Sequence, residues 1–167
     1  MSPAVPSLTV TELATGPGPT LLRFDVPGLA EPAGPASGLA AARAMWAADA
    51  ASAGLGMELV SLDAGRAAVR MRVTAAMVNG HAIAHGGFVF ALADSAFALA
   101  CNSHGPVTVA AGCDITFVAP ARLDDVLVAE AVERARFGRS GLTDVSVRRE
   151  PSGELVAELR GRSRTVG

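Results

Sequence analysis

The stretch Asn79-Gly80-His81-Ala82-Ile83-Ala84-His85-Gly86-Gly87-Phe88-Val89-Phe90-Ala91-Leu92-Ala93-Asp94 concentrates the residue types that can do chemistry together. A polar, glycine-rich loop runs directly into an apolar segment of helical character. One carboxylate, Asp94, lies inside that segment. A loop ending in His-Gly-Gly brings free backbone N–H groups to a helix N-terminus, where they hold partial negative charge. Asp94 follows Gly86 by eight residues, roughly 12 Å along one helix. One helix therefore separates an anion-binding end from a carboxylate. Both serve one substrate only if it lies along the helix or if a second chain contributes.

The elements around this stretch read as one domain preceded by an extension. Residues 1–37 hold seven of the ten prolines, as in Gly16-Pro17-Gly18-Pro19 and Glu31-Pro32-Ala33-Gly34-Pro35. They read as a mobile extension, with Leu21–Val26 as a short strand and an arm over a neighbouring subunit as the alternative. Ser37 is placed to cap an alanine-rich helix from Gly38 to Ala53, with Gly54 as its stop. Met57–Leu62 and Arg66–Val73 alternate as two strands around an Asp63-Ala64-Gly65 turn. The central helix runs from Gly86 to Ser103 and is apolar nearly all round, the pattern of a buried helix. His104-Gly105-Pro106 ends it. Four strands follow, at Val107–Val118, Val126–Phe137, Leu142–Arg149 and Leu155–Val166. Consecutive hairpins make an antiparallel sheet, and the apolar helix covers its bare face. The fold class is α+β.

Composition removes several function classes. Half of the residues are hydrophobic, 18% are charged and the net charge is −2. No basic excess points to nucleic acid. Six Phe, one Trp and no Tyr make few stacking platforms for single strands. The run around Phe88–Cys101 is too short to span a bilayer and is interrupted by Asp94 and Ser95. With no leader pattern at the N-terminus, a cytoplasmic location is expected. Cys101 and Cys113 do not form a disulfide framework. His81-x-x-x-His85 has chelating spacing, but the glycines around it make a loop, and no Cys-x-x-Cys or His-Glu-x-x-His pattern exists. No metal and no cofactor are expected.

Asn79-Gly80-His81-x-x-x-His85-Gly86-Gly87-x-x-Phe90-Ala91-Leu92-Ala93-Asp94, followed by Gly112-Cys113-x-Ile115-x-Phe117-Val118-x-Pro120-Ala121, resembles the hotdog-fold acyl-CoA thioesterases of the phenylacetate-degradation type. The resemblance spans about residues 38–167, including Gly138-Arg139-Ser140-Gly141 and Arg160-Gly161-x-Ser163. It implies a curved antiparallel sheet wrapped around the Gly86–Ser103 helix. It also implies an acyl-CoA substrate, and dimers with interface active sites, paired into tetramers. The helix end of one subunit and Asp94 of the other would then meet at one thioester.

Thioester hydrolysis needs the carbonyl oxygen stabilised, water activated or the carbonyl attacked, and the substrate arms held. For the first, the candidate is the Gly86 N–H, with Gly87 as neighbour. For the second it is Asp94, as general base or as nucleophile through an anhydride. Asn79 is placed to orient the carbonyl, the water or the carboxylate. His85 is read as fixing the turn or donating to the thioester region. Arg139 and Ser140, in the Gly138–Gly141 turn, are candidates for CoA phosphates or pantetheine. Arg134 with Arg136, and Arg160, Arg162 and Arg164, read as exposed strand faces that can add to a phosphate rim.

Structural readings stand beside these. Asp94 can cap another segment or pair with an arginine of a second subunit, the glycines can serve close packing, Asn79 can hold a turn, and Arg139 can be an ordinary turn residue. The activity expected is release of CoA from aryl or short-to-medium acyl groups, such as phenylacetyl-CoA or hydroxyphenylacetyl-CoA. The competing readings are a hotdog hydratase or dehydratase, and a non-catalytic acyl-CoA-binding module. The absence of an Asp-x-x-x-x-His pattern opposes the former, and the cost of burying Asp94 for binding alone opposes the latter.

Overall fold

A computed structural model describes Thr9–Glu12, Leu22–Asp25 and residues 35–166, with side chains from Ser37 onward. In chain order the elements are β1 (Thr9–Glu12), β2 (Leu22–Asp25), α1 (Pro35–Ala47), α2 (Ala50–Gly54), β3 (Glu58–Asp63), β4 (Arg66–Arg72), a 3-10 turn (Ala75–Met77), α3 (Gly86–Asn102), β5 (Thr108–Phe117), β6 (Val126–Phe137), β7 (Ser140–Glu150) and β8 (Leu155–Thr165).

Six strands form an antiparallel sheet in the order β3-β4-β6-β7-β8-β5. Alternation in β6, β7 and β8 sends Leu127, Ala129, Val145, Val147 and Leu159 inward, against α3. From α3, Leu92, Ala93, Ala96, Leu99 and Ala100 are fully buried, and Phe97 nearly so. Phe97 lies on bare backbone: a Cβ at Gly161 would come within 2.6 Å of its ring. That glycine lets the sheet close over the widest side chain of the helix.

The expected sheet, central helix and turns are present. Three expectations change. The helix expected over Gly38–Ala53 is two helices, because the Asp49 carboxylate accepts the Ala51 and Ser52 N–H groups at 3.0 Å and starts a new helix. Hydrogen bonds from Ser52 hold its pKa below the ordinary carboxylate value. Ser37 is inside the first turn of α1 rather than at its cap. The central helix is not buried all round. Gly87, Phe90, Ala91, Asp94 and Ala98 stay partly or fully exposed, because sheet, α1 and α2 cover the other sides and leave the flank beside β5 open.

Part of the extension is ordered backbone. The short strand expected at Leu21–Val26 is β2, which pairs antiparallel with β1. β2 also pairs parallel with β6, Leu22 opposite Ala135 and Arg23 opposite Arg136, beyond the point where β4 stops at Arg66 opposite Val132. The rest of the expected mobile extension lies outside the described residues. Among the described residues no helix is long and apolar enough to cross a membrane.

Candidate active site

The loop that leads into α3 is closed by its own hydrogen bonds. Asn79 Oδ1 accepts from His81 N at 2.9 Å and from Ile83 N at 3.4 Å. The backbone adds Asn79 N to Ile83 O and Ala82 N to Asn79 O, with Ala82 in the left-handed region at φ 58°. Asn79 thus holds the turn from inside. Ala84 N donates to Ala121 O and His85 N to Met77 O, both at 2.8 Å, which fixes the point where the helix begins.

His85 is the N-cap of α3, and its Nδ1 accepts from Gly87 N at 3.0 Å. A ring nitrogen that accepts leaves the proton of the neutral ring on Nε2. The ring also meets Phe88 edge to face at 6.2 Å. His85 therefore caps the helix start. The first helical N–H, that of Gly86, has no acceptor among the described residues. Three atoms of the Phe117 ring lie 2.9–3.3 Å from where a Gly86 Cβ would be, so a side chain there would have to push the ring aside.

Asp94 is two turns along the open flank. Its carboxylate makes no hydrogen bond or ion pair among the described residues, and burial pushes its pKa up. Its charge is near enough to raise the thiols of Cys113 and Cys101 further, after their own burial; Cys101 is pushed up to about 12. The adjacent Ser95 is tied down. Its Oγ meets Ser52 Oγ at 2.8 Å, and Ser52 Oγ donates to Asp49 Oδ2 at 2.6 Å. With the Ser52 proton used on Asp49, Ser95 is the donor, and the chain anchors the turn of α3 that carries Asp94.

The Gly138–Gly141 turn is not part of this cluster within one protomer. Arg139 donates from Nε and an Nη to the Thr165 carbonyl at 3.1 and 2.9 Å. Ser140 is opposite Arg164, which is opposite Val109, whereas the Gly86 end lies by Phe117. Eight residues of β5 separate the two levels, roughly 26 Å. Gly141 is held tight, since a Cβ there would lie 2.6 Å from Ser163 Oγ.

Arg134 and Arg136 do not share a face. A bulge between Glu133 and Ala135 inserts Arg134 as an extra residue. Arg134 pairs with Asp144, while Arg136 turns to the buried Glu133 at 3.8 Å. Arg160 and Arg162 are on the outer face, paired with Asp144 and Asp114. Among the described residues no three His, Cys, Asp or Glu side chains converge as a metal site. Surface hollows of about 340 Å3, lined in part by Glu58, Arg70 and Glu150, and about 230 Å3, lined in part by Arg66 and Glu130, involve neither Gly86 nor Asp94.

Residues 81–156, which run from the loop through α3 and the strands that wrap it, match the thioesterase superfamily. Over 126 residues the chain is 43% identical to the acyl-coenzyme A thioesterase PaaI of Escherichia coli, covering 75% of this chain and 89% of that protein. The chain belongs to the thioesterase superfamily. The structure of E. coli PaaI, from the phenylacetic acid degradation operon, superposes with a TM-score of 0.76 at 41% identity, covering 79% of this chain and 95% of that one. A PaaI structure from Thermus thermophilus gives 0.66 at 38% identity, covering 69% and 97%. The fold is thus the hotdog fold, and the protein is a hydrolase of the acyl-CoA thioesterase class.

For a thioesterase, the arrangement supplies a bare helix N–H for a carbonyl oxygen and an unpaired carboxylate on the same flank. Sequence reasoning named both. It missed Asp49, Ser52 and Ser95 as anchors, although Asp49-x-x-Ser52 is a legible capping pattern. It also missed the contact of Phe117 with Gly86, which no local pattern signals.

Proposed function

We propose that the protein hydrolyses aryl-acyl-CoA thioesters such as phenylacetyl-CoA or hydroxyphenylacetyl-CoA to the free acid and CoA. The observation that carries this reading is the pair of unsatisfied groups on one open flank of α3: the Gly86 N–H and the Asp94 carboxylate. The aryl preference draws on the phenylacetic acid context of the E. coli relative.

The Gly86 N–H, at the positive end of the α3 dipole, polarises the thioester carbonyl and receives the oxyanion. A donor so placed is worth about 10²–10³ in kcat. Asp94 removes a proton from the attacking water, or attacks the carbonyl itself, expelling the CoA thiolate and leaving an anhydride that water then hydrolyses to the acid and the free carboxylate. In the water route the tetrahedral intermediate collapses with departure of the CoA thiolate, which takes up a proton. Asn79 and His85 hold the loop that aims the Gly86 N–H. Gly87 keeps the approach to the helix end open.

The site is shared between two protomers. Gly86 and Asp94 of one chain are too far apart for one carbonyl, whereas a two-fold axis passing midway between them at Phe90 sets Gly86 against Asp94 of the partner subunit. The outer edge of β5, unpaired among the described residues and with Val109 exposed, and the small residues Gly87, Ala91 and Ala98 on the open flank support close pairing there. Two such dimers form the assembly. The Gly138–Gly141 turn, with Arg139 and Ser140, contacts the CoA arm of a neighbouring protomer's site rather than that of its own.

Steady-state hydrolysis of an acyl-CoA panel, followed by thiol release with Asp94→Asn as control, tests the reading. Turnover that peaks with aryl-acetyl thioesters and is lost in the variant is expected. A folded, oligomeric protein that turns over no thioester overturns it.

A further inference from the structure

We infer that Phe117 is the specificity wall of the thioester site, the side chain against which the acyl group is laid. This rests on Gly86 being the carbonyl-binding donor, as proposed above. Phe117 is the last residue of β5 and is opposite Ala157 in the register, so its side chain points to the α3 side of the sheet. The tip of its ring rests on Gly86, with Cζ 2.9 Å and both Cε atoms 3.3 Å from the position of a Gly86 Cβ. Nevertheless the residue is 52% exposed. A large ring that contacts the helix end yet leaves half of itself uncovered does little for this protomer's core.

The backbone that carries the ring is also tied down beyond Phe117. Val118 N donates to Val156 O at 2.8 Å, and Ala121 O accepts from Ala84 N, two residues before Gly86. The backbones that carry Phe117 and the Gly86 N–H are therefore held next to each other, with the ring tip against Gly86. A thioester carbonyl that accepts from Gly86 must place its first acyl carbons within van der Waals reach of this ring. A flat apolar acyl group stacks there, while a flexible alkyl chain gains only area. Aromatic pairs gain about 0.5–1.5 kcal/mol beyond buried area, which is about 2- to 12-fold in kcat/KM.

The experiment compares kcat/KM for phenylacetyl-CoA and octanoyl-CoA in the wild type, Phe117→Leu and Phe117→Tyr. The expected result is an aryl-to-alkyl ratio that falls about 2- to 12-fold in the leucine variant and returns in the tyrosine variant. An active wild type whose ratio is unchanged in Phe117→Leu overturns the role of Phe117 alone. A wild type inactive on both thioesters overturns the thioesterase reading and this inference with it. Thermal midpoint and solution mass are read for each variant. If Phe117→Leu does not fold, Phe117→Met supplies the same ratio.

Discussion

The two ends of α3 obey opposite rules. At the C-terminal end the polar side chains of Asn102, Ser103 and His104 are all partnered. Asn102 Nδ2 donates to Ala98 O and Thr108 O, and its Oδ1 accepts from Thr108 N. Ser103 Oγ donates to Ala100 O and accepts from Gly65 N. His104 Nε2 meets the buried Glu133 at 2.6 Å. At the N-terminal end the Gly86 N–H has no acceptor, and at the midpoint of the helix, on its open flank, Asp94 has no partner among the described residues. Unpaired polar groups with restricted access to water cost stability, so a protein keeps them where something else supplies the partner. One end holds the helix in the sheet, and the rest of the open flank carries the two unpartnered groups on which the proposed site rests.

Substitutions at the two ends should therefore split activity from stability. Asp94→Asn has the largest expected effect: a loss of about 10²–10⁴ in kcat, read by thiol release. Stability moves the other way. Burial raises the Asp94 pKa, so its contribution to folding is full below the unfolded value and is lost as pH rises through the folded one. At neutral pH the charged form opposes folding, and the asparagine variant should melt higher. The wild-type rate should fall on the acid side at a pH above that of an ordinary aspartate. A lower melting point for Asp94→Asn would assign Asp94 to the structural end.

His104→Ala comes next. It leaves Glu133 buried with only Arg136, at 3.8 Å, to balance it. The expected cost is about 3 kcal/mol in denaturant unfolding, with kcat per folded site unchanged. Asn102→Ala strands the Thr108 N–H and should cost about 1–3 kcal/mol, again with kcat kept. Loss of kcat in a folded His104 or Asn102 variant would break the division between the ends. The smallest effect belongs to a surface pair remote from both. Arg160, then Arg134, holds the Asp144 carboxylate below its ordinary value. Its contribution is present above the unfolded value and is lost as pH falls. Asp144→Asn should therefore melt slightly lower at pH 7 and coincide with the wild type in strong acid.

The sequence was legible where the signal is local. The glycines and histidine before an apolar run mark the start of α3 at Gly86, alternation marks β7, and the turns between them bound β6 and β8. The break at Asp49 was masked by the alanines around it, whose helix propensity reads as one continuous helix. The bulge at Arg134 leaves no mark in the alternation before it, so Arg136 was placed on the wrong face. In the site, Gly86 and Asp94 were named from the motif and the open flank was not. It depends on which elements pack around the helix, and a nearly all-apolar helix carries no marker for its uncovered side. Phe117 was quoted within the motif, but its contact with Gly86 joins segments thirty residues apart.

The parallel pairing of β2 with β6 orders events in time. Leu22 waits for Ala135, more than a hundred residues later in the chain. At synthesis rates of about 5–20 residues per second, that partner strand follows roughly 6–23 s behind. β2 thus has no partner in β6 to dock against until that later strand has been made.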